Sequence, residues 1–189
     1  LSGRQRDWRK GWGATRSGIS VCTNPGPQII RTRPGIDDRT VVRVSVQQRD
    51  FGEPLDDVIV DFEDASKDPA RLSLQVKRSL TISSAKTNKD FREIIRDSWA
   101  TLNKSDFRFN VDRYGAAVGT VTPAKERALK TLCDWARESL TADHFHARFA
   151  KGGSASGDIK TVKTDVVTLL EVAKGAPCTS EEEHQFLAH

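Results

Sequence analysis

Two short runs with a side-chain period of two constrain the fold of this chain more than anything else in it: Asp56-Asp57-Val58-Ile59-Val60-Asp61-Phe62 and Leu72-Ser73-Leu74-Gln75-Val76-Lys77. Side chains alternate faces along a strand, so Val58, Val60 and Phe62 share one side while Asp57, Ile59 and Asp61 share the other. In the second run Leu72, Leu74 and Val76 form an apolar stripe, with Ser73, Gln75 and Lys77 opposite. The polar segment from Glu63 to Ala70, which ends in Pro-Ala, reads as the loop of an antiparallel hairpin. With Asp57 across from Gln75 or Lys77, all three polar groups emerge on one face at one end. A register shifted by one residue separates them.

That grouping matches a chemical need. A hard divalent cation such as Mg²⁺ takes oxygen ligands, keeps several waters and is commonly held by one or two carboxylates plus substrate phosphate oxygens. Asp57 supplies a carboxylate, with the adjacent Asp56 as a further candidate ligand, and the Gln75 carbonyl supplies a neutral oxygen. Lys77 would position or activate the attacking water, or stabilise charge in the transition state. An amphipathic hairpin whose polar face is merely solvated carries the same pattern.

The stretch from Asp56 to Val60 and on through Leu74-Gln75-Val76-Lys77-Arg78 resembles the Asp…Gln-x-Lys variant of the restriction-endonuclease-like (PD-(D/E)xK) superfamily. Within it, the nearest likeness is to the N-terminal double-stranded-DNA nuclease domain of antiphage effector proteins. The likeness spans roughly residues 41–140 and is strongest in the hairpin. It implies an α/β fold, a mixed sheet flanked by helices. It also implies a Mg²⁺-dependent endonuclease, with Mn²⁺ as a substitute, acting through Asp57, Gln75 and Lys77 on double-stranded DNA. The same likeness implies further domains of the same parent chain, with double-stranded DNA and a second copy of the chain as candidate partners, while a cytoplasmic setting is expected from the cysteine usage. The helix that precedes the first strand in that superfamily often carries a metal-binding Glu, and no Glu occurs here before Glu53. A catalytically inactive nuclease-fold domain that binds DNA or acts as a scaffold is the alternative.

Composition bounds these expectations. At 189 residues the chain fits one domain with a real core, and no apolar run approaches a membrane span. The three cysteines, Cys22, Cys133 and Cys178, are odd in number and widely spaced, which argues against a disulfide framework and for a reducing compartment. Met is absent even at position 1, which points to a fragment of a longer protein or an unusual start. The net charge of +4 is an N-terminal property: residues 1–40 hold eight Arg and Lys against three Asp, and the remainder is nearly balanced. Arg4, Arg6, Arg9 and Lys10, interleaved with Trp8 and Trp12, suit phosphate contact and base stacking. The Gly and Pro content and missing periodicity of residues 1–39 predict a disordered basic arm.

A nuclease-like α/β unit is expected over residues 40–175. Val42, Val44 and Val46 mark a first strand ending near Gln48. Thr87 to Asp90 cap a helix carrying Phe91, Ile94, Ile95, Ser98 and Leu102, with Trp99 as a core candidate. Arg78, Lys86, Lys89 and Arg92 are the expected DNA-binding side chains, with Arg96 nearby. Gly115 to Val121 reads as a buried strand, followed by Thr122 as an N-cap, Pro123 at the first helical position, and a helix bearing Leu129, Leu132, Cys133, Ala136 and Leu140. Lys151 to Gly157 reads as a flexible link before a helix with Ile159, Val162, Val166, Leu169 and Leu170 on its apolar face. Residues 176–189 read as the start of a truncated helix. His144-x-His146 would meet on one face only in a strand, and nothing nearby completes a metal shell.

Overall fold

The computed structural model describes residues 39–189. The basic arm expected over residues 1–39, with Trp8, Trp12 and Cys22, therefore lies outside the described residues except for Arg39, whose guanidinium holds Asp68 at 3.0 Å. From Thr40 the chain builds three antiparallel strands, β1 (Thr40–Val46), β2 (Val58–Glu63) and β3 (Pro69–Leu80). Helix α1 (Lys89–Leu102) then crosses over to β4 (Arg113–Val121), and α2 (Pro123–Glu138), α3 (Ala142–Ala147), α4 (Gly157–Lys174) and α5 (Ser180–Ala188) follow.

The sheet runs in the order β1-β2-β3-β4, with the first two pairings antiparallel and β3-β4 parallel. A parallel neighbour needs a long crossover, which α1 supplies. The result is an α/β fold with a four-stranded mixed sheet and packed helices, as expected. Strand β1 stops at Val46 rather than near Gln48 because Gln47 takes a positive φ of 52° and Gln48 turns its N–H to the Asp56 carbonyl at 3.0 Å.

The β2-β3 loop is shorter than the sequence pattern suggests, because Glu63 and Pro69 already pair across the hairpin. The remaining turn is closed by the Asp64 carboxylate, which accepts the N–H groups of Ser66 at 2.8 Å and Asp68 at 2.9 Å.

The main core lies on the helix side of β3 and β4. Phe91, Ile94, Ile95 and Leu102 of α1 pack with Tyr114, Ala116, Val118 and Val121 of β4, while Leu132, Cys133 and Ala136 of α2 and Val162, Val166, Leu169 and Leu170 of α4 close it. Trp99 is half-buried against this core, in keeping with a packing role. Leu72 and Leu74 form a second, smaller cluster with Val58, Val60 and Phe62 on the opposite sheet face. On that side Val44, Val46 and Val76 remain largely exposed.

Four local outcomes differ from the pattern in the sequence or refine it. Leu140 is 93% exposed, since α2 ends at Glu138 and the Ser139 N–H closes back on the Trp135 carbonyl at 3.1 Å. Helix α3 is too short to leave a periodic signal; it is announced only by its cap, where Thr141 Oγ1 accepts the His144 N–H. His144 and His146 thus sit on a helix, where i,i+2 side chains diverge. The Gly152-Gly153 link is closely packed: a Cβ on Gly153 would lie 2.3 Å from the Arg148 carbonyl oxygen. Residues 180–188 complete a nine-residue helix with a Thr179–Glu182 capping box, and its Phe186 and Leu187 are buried in the main core. Tyr114 Oη fastens that helix by donating to the Phe186 carbonyl at 2.5 Å.

Candidate functional site

The hairpin register decides the geometry of the site. Val58 pairs with Leu74 and Ile59 with Ser73, so extending the ladder by one residue sets Asp57 opposite Gln75. Asp57 Oδ2 accepts the Gln75 side-chain amide at 2.5 Å and the Val76 backbone N–H at 2.7 Å. A carboxylate only accepts, so the amide nitrogen must face Asp57. This leaves Gln75 Oε1 buried, in a residue 5% exposed, without a hydrogen-bond partner. Asp57 Oδ1 likewise has no partner among the described residues.

Lys77 lies on the same face two residues on. Its ammonium meets Glu93 Oε2 at 2.8 Å and Asp90 Oδ1 at 3.8 Å, both from the first turns of α1. Burial disfavours the ammonium, but the hydrogen bond to Glu93 and the charges of Glu93, Asp90 and Asp57 outweigh it and raise the Lys77 pKa. The Lys77 hydrogen bond, against the opposing effect of burial, holds Glu93 below the usual carboxylate range, helped by the charges of Lys77, Arg96 and Arg49. Lys77 is thus a cation at neutral pH. It suits positioning and charge stabilisation; as a base that activates water it is unsuited, which narrows the two roles considered for it.

Glu93 was not among the residues singled out from the motif. Its signal was present in the acids Asp90, Glu93 and Asp97, spaced three and four apart along α1, the spacing of one helical face. Glu53, the first Glu in the chain, serves elsewhere, bonding Arg71 at 2.9 Å and Lys104 at 2.7 Å.

Asp56 does not face the Asp57 carboxylate's partners. It is buried and accepts Arg49 Nη2 at 2.8 Å, while the same nitrogen reaches Asp97 at 3.2 Å.

The expected DNA-binding residues divide. Lys86 and Lys89 are exposed at the start of α1, and Arg92 is half-buried with one nitrogen donating to the Lys86 carbonyl at 3.1 Å. Lys89, Arg92 and Arg96 line a groove of about 520 Å³ with Asp90, Glu93 and the α4 residue Leu169. Arg78 is exposed, and strand alternation turns it to the face opposite Gln75 and Lys77, away from that groove.

Asp57, Gln75, Lys77 and Glu93 thus form a compact polar end on the helix side of the hairpin. Among the described residues, no group of three His, Cys, Asp or Glu side chains is already gathered tightly enough to hold a metal ion, and no helix is long and apolar enough to cross a membrane. No protein-family model, curated protein or solved structure matches the chain.

Proposed function

We propose that the chain is a restriction-endonuclease-like domain that hydrolyses double-stranded DNA with a divalent metal ion, as part of a larger, antiphage effector. The observation that carries this reading is the pairing of Asp57 with Gln75 beside Lys77, with one buried oxygen of Gln75 left without a partner. Buried polar atoms are rarely left bare unless a ligand or water completes them. Asp57 Oδ1, Gln75 Oε1 and the Glu93 carboxylate are hard oxygen donors of the kind Mg²⁺ or Mn²⁺ takes, and few protein ligands suffice when substrate phosphate completes the shell.

Bound there, such an ion would polarise the phosphodiester and lower the pKa of a coordinated water. The chain's own residues do the rest. Asp57 and Gln75 fix donor oxygens at the strand mouth, the Lys77 cation stabilises charge developing on the phosphoryl oxygens, and Lys86, Lys89 and Arg92 hold the DNA backbone. Glu93, which holds the Lys77 ammonium at 2.8 Å, would be a third oxygen ligand for such an ion.

A catalytically inactive DNA-binding or scaffold domain is the second reading, favoured by the engagement of Lys77 by Glu93. Plasmid cleavage separates the two. Nicking or linearisation with Mg²⁺ and Mn²⁺, abolished by EDTA and by Lys77→Ala, is the expected result. No cleavage with any metal, or undiminished cleavage by Lys77→Ala, leaves the binding module standing.

A further inference from the structure

We infer that Arg49 is a positioning residue that sets the distance between Asp57 and Glu93, an inference that rests on the nuclease reading above. Its guanidinium spans two carboxylates that are 8% and 4% exposed, Asp56 and Asp97. Nη2 lies 2.8 Å from Asp56 and 3.2 Å from Asp97, and Nε adds a 3.2 Å bond to Asp56. Asp56 directly precedes Asp57, and Asp97 lies one helical turn beyond Glu93 on α1. Among the described residues this is the one polar side-chain link between the Gln47–Asp57 segment and α1.

The segment itself is stiffened on the strand side. Gln48 donates its N–H to the Asp56 carbonyl at 3.0 Å, and Gln47 donates to the Asp57 carbonyl at 3.4 Å. Arg96 braces Asp97 from the other side at 2.7 Å. With the guanidinium in place, two buried carboxylates are compensated and drawn together. Without it two buried carboxylates face each other uncompensated, which favours a wider gap between the strand mouth and the middle of α1, while Leu55 in the core and the Glu53–Lys104 bond at 2.7 Å still anchor the segment. The planar fork of Arg reaches both acids at once, whereas Lys offers a single point charge.

The test compares wild type with Arg49→Ala, Arg49→Lys and the shape-preserving Asp97→Asn. Cleavage is followed against Mg²⁺ and DNA concentration, and native-state hydrogen exchange is measured at Val76, whose N–H reports on Asp57, with Ile94 as an interior reference. Arg49→Ala and Asp97→Asn are expected to lower kcat by about 10- to 100-fold through misplacement. KM for DNA should stay within about twofold, and Arg49→Lys should recover part of kcat. Val76 protection is expected to fall about tenfold while Ile94 is unchanged, the mark of local rather than global loosening.

Unchanged Val76 protection in both variants overturns the inference. So does a uniform loss of protection at Val76 and Ile94, which assigns Arg49 to general stability. If wild type cuts no DNA while the Val76 result holds, the nuclease reading is what has failed, and the reaction role of Arg49 falls with it.

Discussion

The two ends of the β2-β3 hairpin both carry charged side chains and pair them to different extents. At the end away from the site, the buried and half-buried acids Asp61, Glu53 and Asp112 are saturated. Asp61 accepts Arg43 at 2.7 Å and Arg71 at 2.8 Å, and Glu53 holds Arg71 and Lys104. Asp112 receives the backbone N–H groups of Arg71 at 2.8 Å and Arg108 at 2.9 Å, and the Arg108 guanidinium at 2.7 Å. At the Asp57 end, one oxygen of Asp57 and one of Gln75 have no partner, and Lys77 depends on a helix carboxylate. A closed network of this kind rigidifies a structure, whereas a partly open one is costly to retain without a ligand. The far end, although it lines the larger cleft of about 600 Å³, therefore reads as structural, and the near end as the site.

The sharpest way to break this contrast is at Lys77. Lys77→Ala should lower DNA cleavage by about 10²- to 10³-fold, the range for removing one positioned charge-stabilising group, with little change in melting temperature; equal losses of activity and stability would make the near end structural too. At the far end the order reverses. Asp112→Ala strips two backbone N–H groups of their acceptor, at roughly 1–3 kcal/mol for each one left buried and bare. Urea denaturation should register that loss, with the Mg²⁺ dependence of cleavage unmoved.

Glu93→Gln sharpens the comparison from the helix side. It retains the shape but removes the charge, so the Mg²⁺ concentration for half-maximal cleavage should rise by about tenfold. An unchanged Mg²⁺ dependence would make Glu93 only a partner for Lys77. The smallest effect is on acid stability. The folded-state pKa of Glu93 is depressed, so its contribution is present above the ordinary Glu value of about 4.3 and is lost as the pH falls through the lower folded value. The stability difference between wild type and Glu93→Gln should thus be constant from neutral pH to about 5 and shrink below that; a difference that shrinks instead above pH 7 would contradict the assignment.

Much of this was legible in the chain. The alternation in Val58–Phe62 and Leu72–Val76 specified which residues share a face, with Leu72 and Leu74 together and Gln75 and Lys77 together, while the choice of Gln75 rather than Lys77 opposite Asp57 came with the observed register. The apolar spacing of Phe91, Ile94 and Ile95, and of Val162, Val166 and Leu169, located the helices that cover β3 and β4 for the same reason: burial of a stripe demands its period. Local chemistry also marked Thr122-Pro123 as a helix start, whereas Ser156, read as part of a flexible link, is the N-cap of α4 and accepts the Ile159 N–H.

What the pattern could not carry was contact between elements distant in sequence. Glu93 looks like any solvated acid until the crossover of α1 lays it over Lys77, and Arg49 looks like a loop cation until Asp56 and Asp97 close on it from two sides. The saturation of Asp61 and Asp112, and the unpartnered Oε1 of Gln75, are likewise sums over partners that the chain brings together only on folding. Period and propensity act over a few residues and are written in order along the chain. Electrostatic pairing depends on distance in space, so the tertiary structure alone decided which charges hold the fold and which stand open to a ligand.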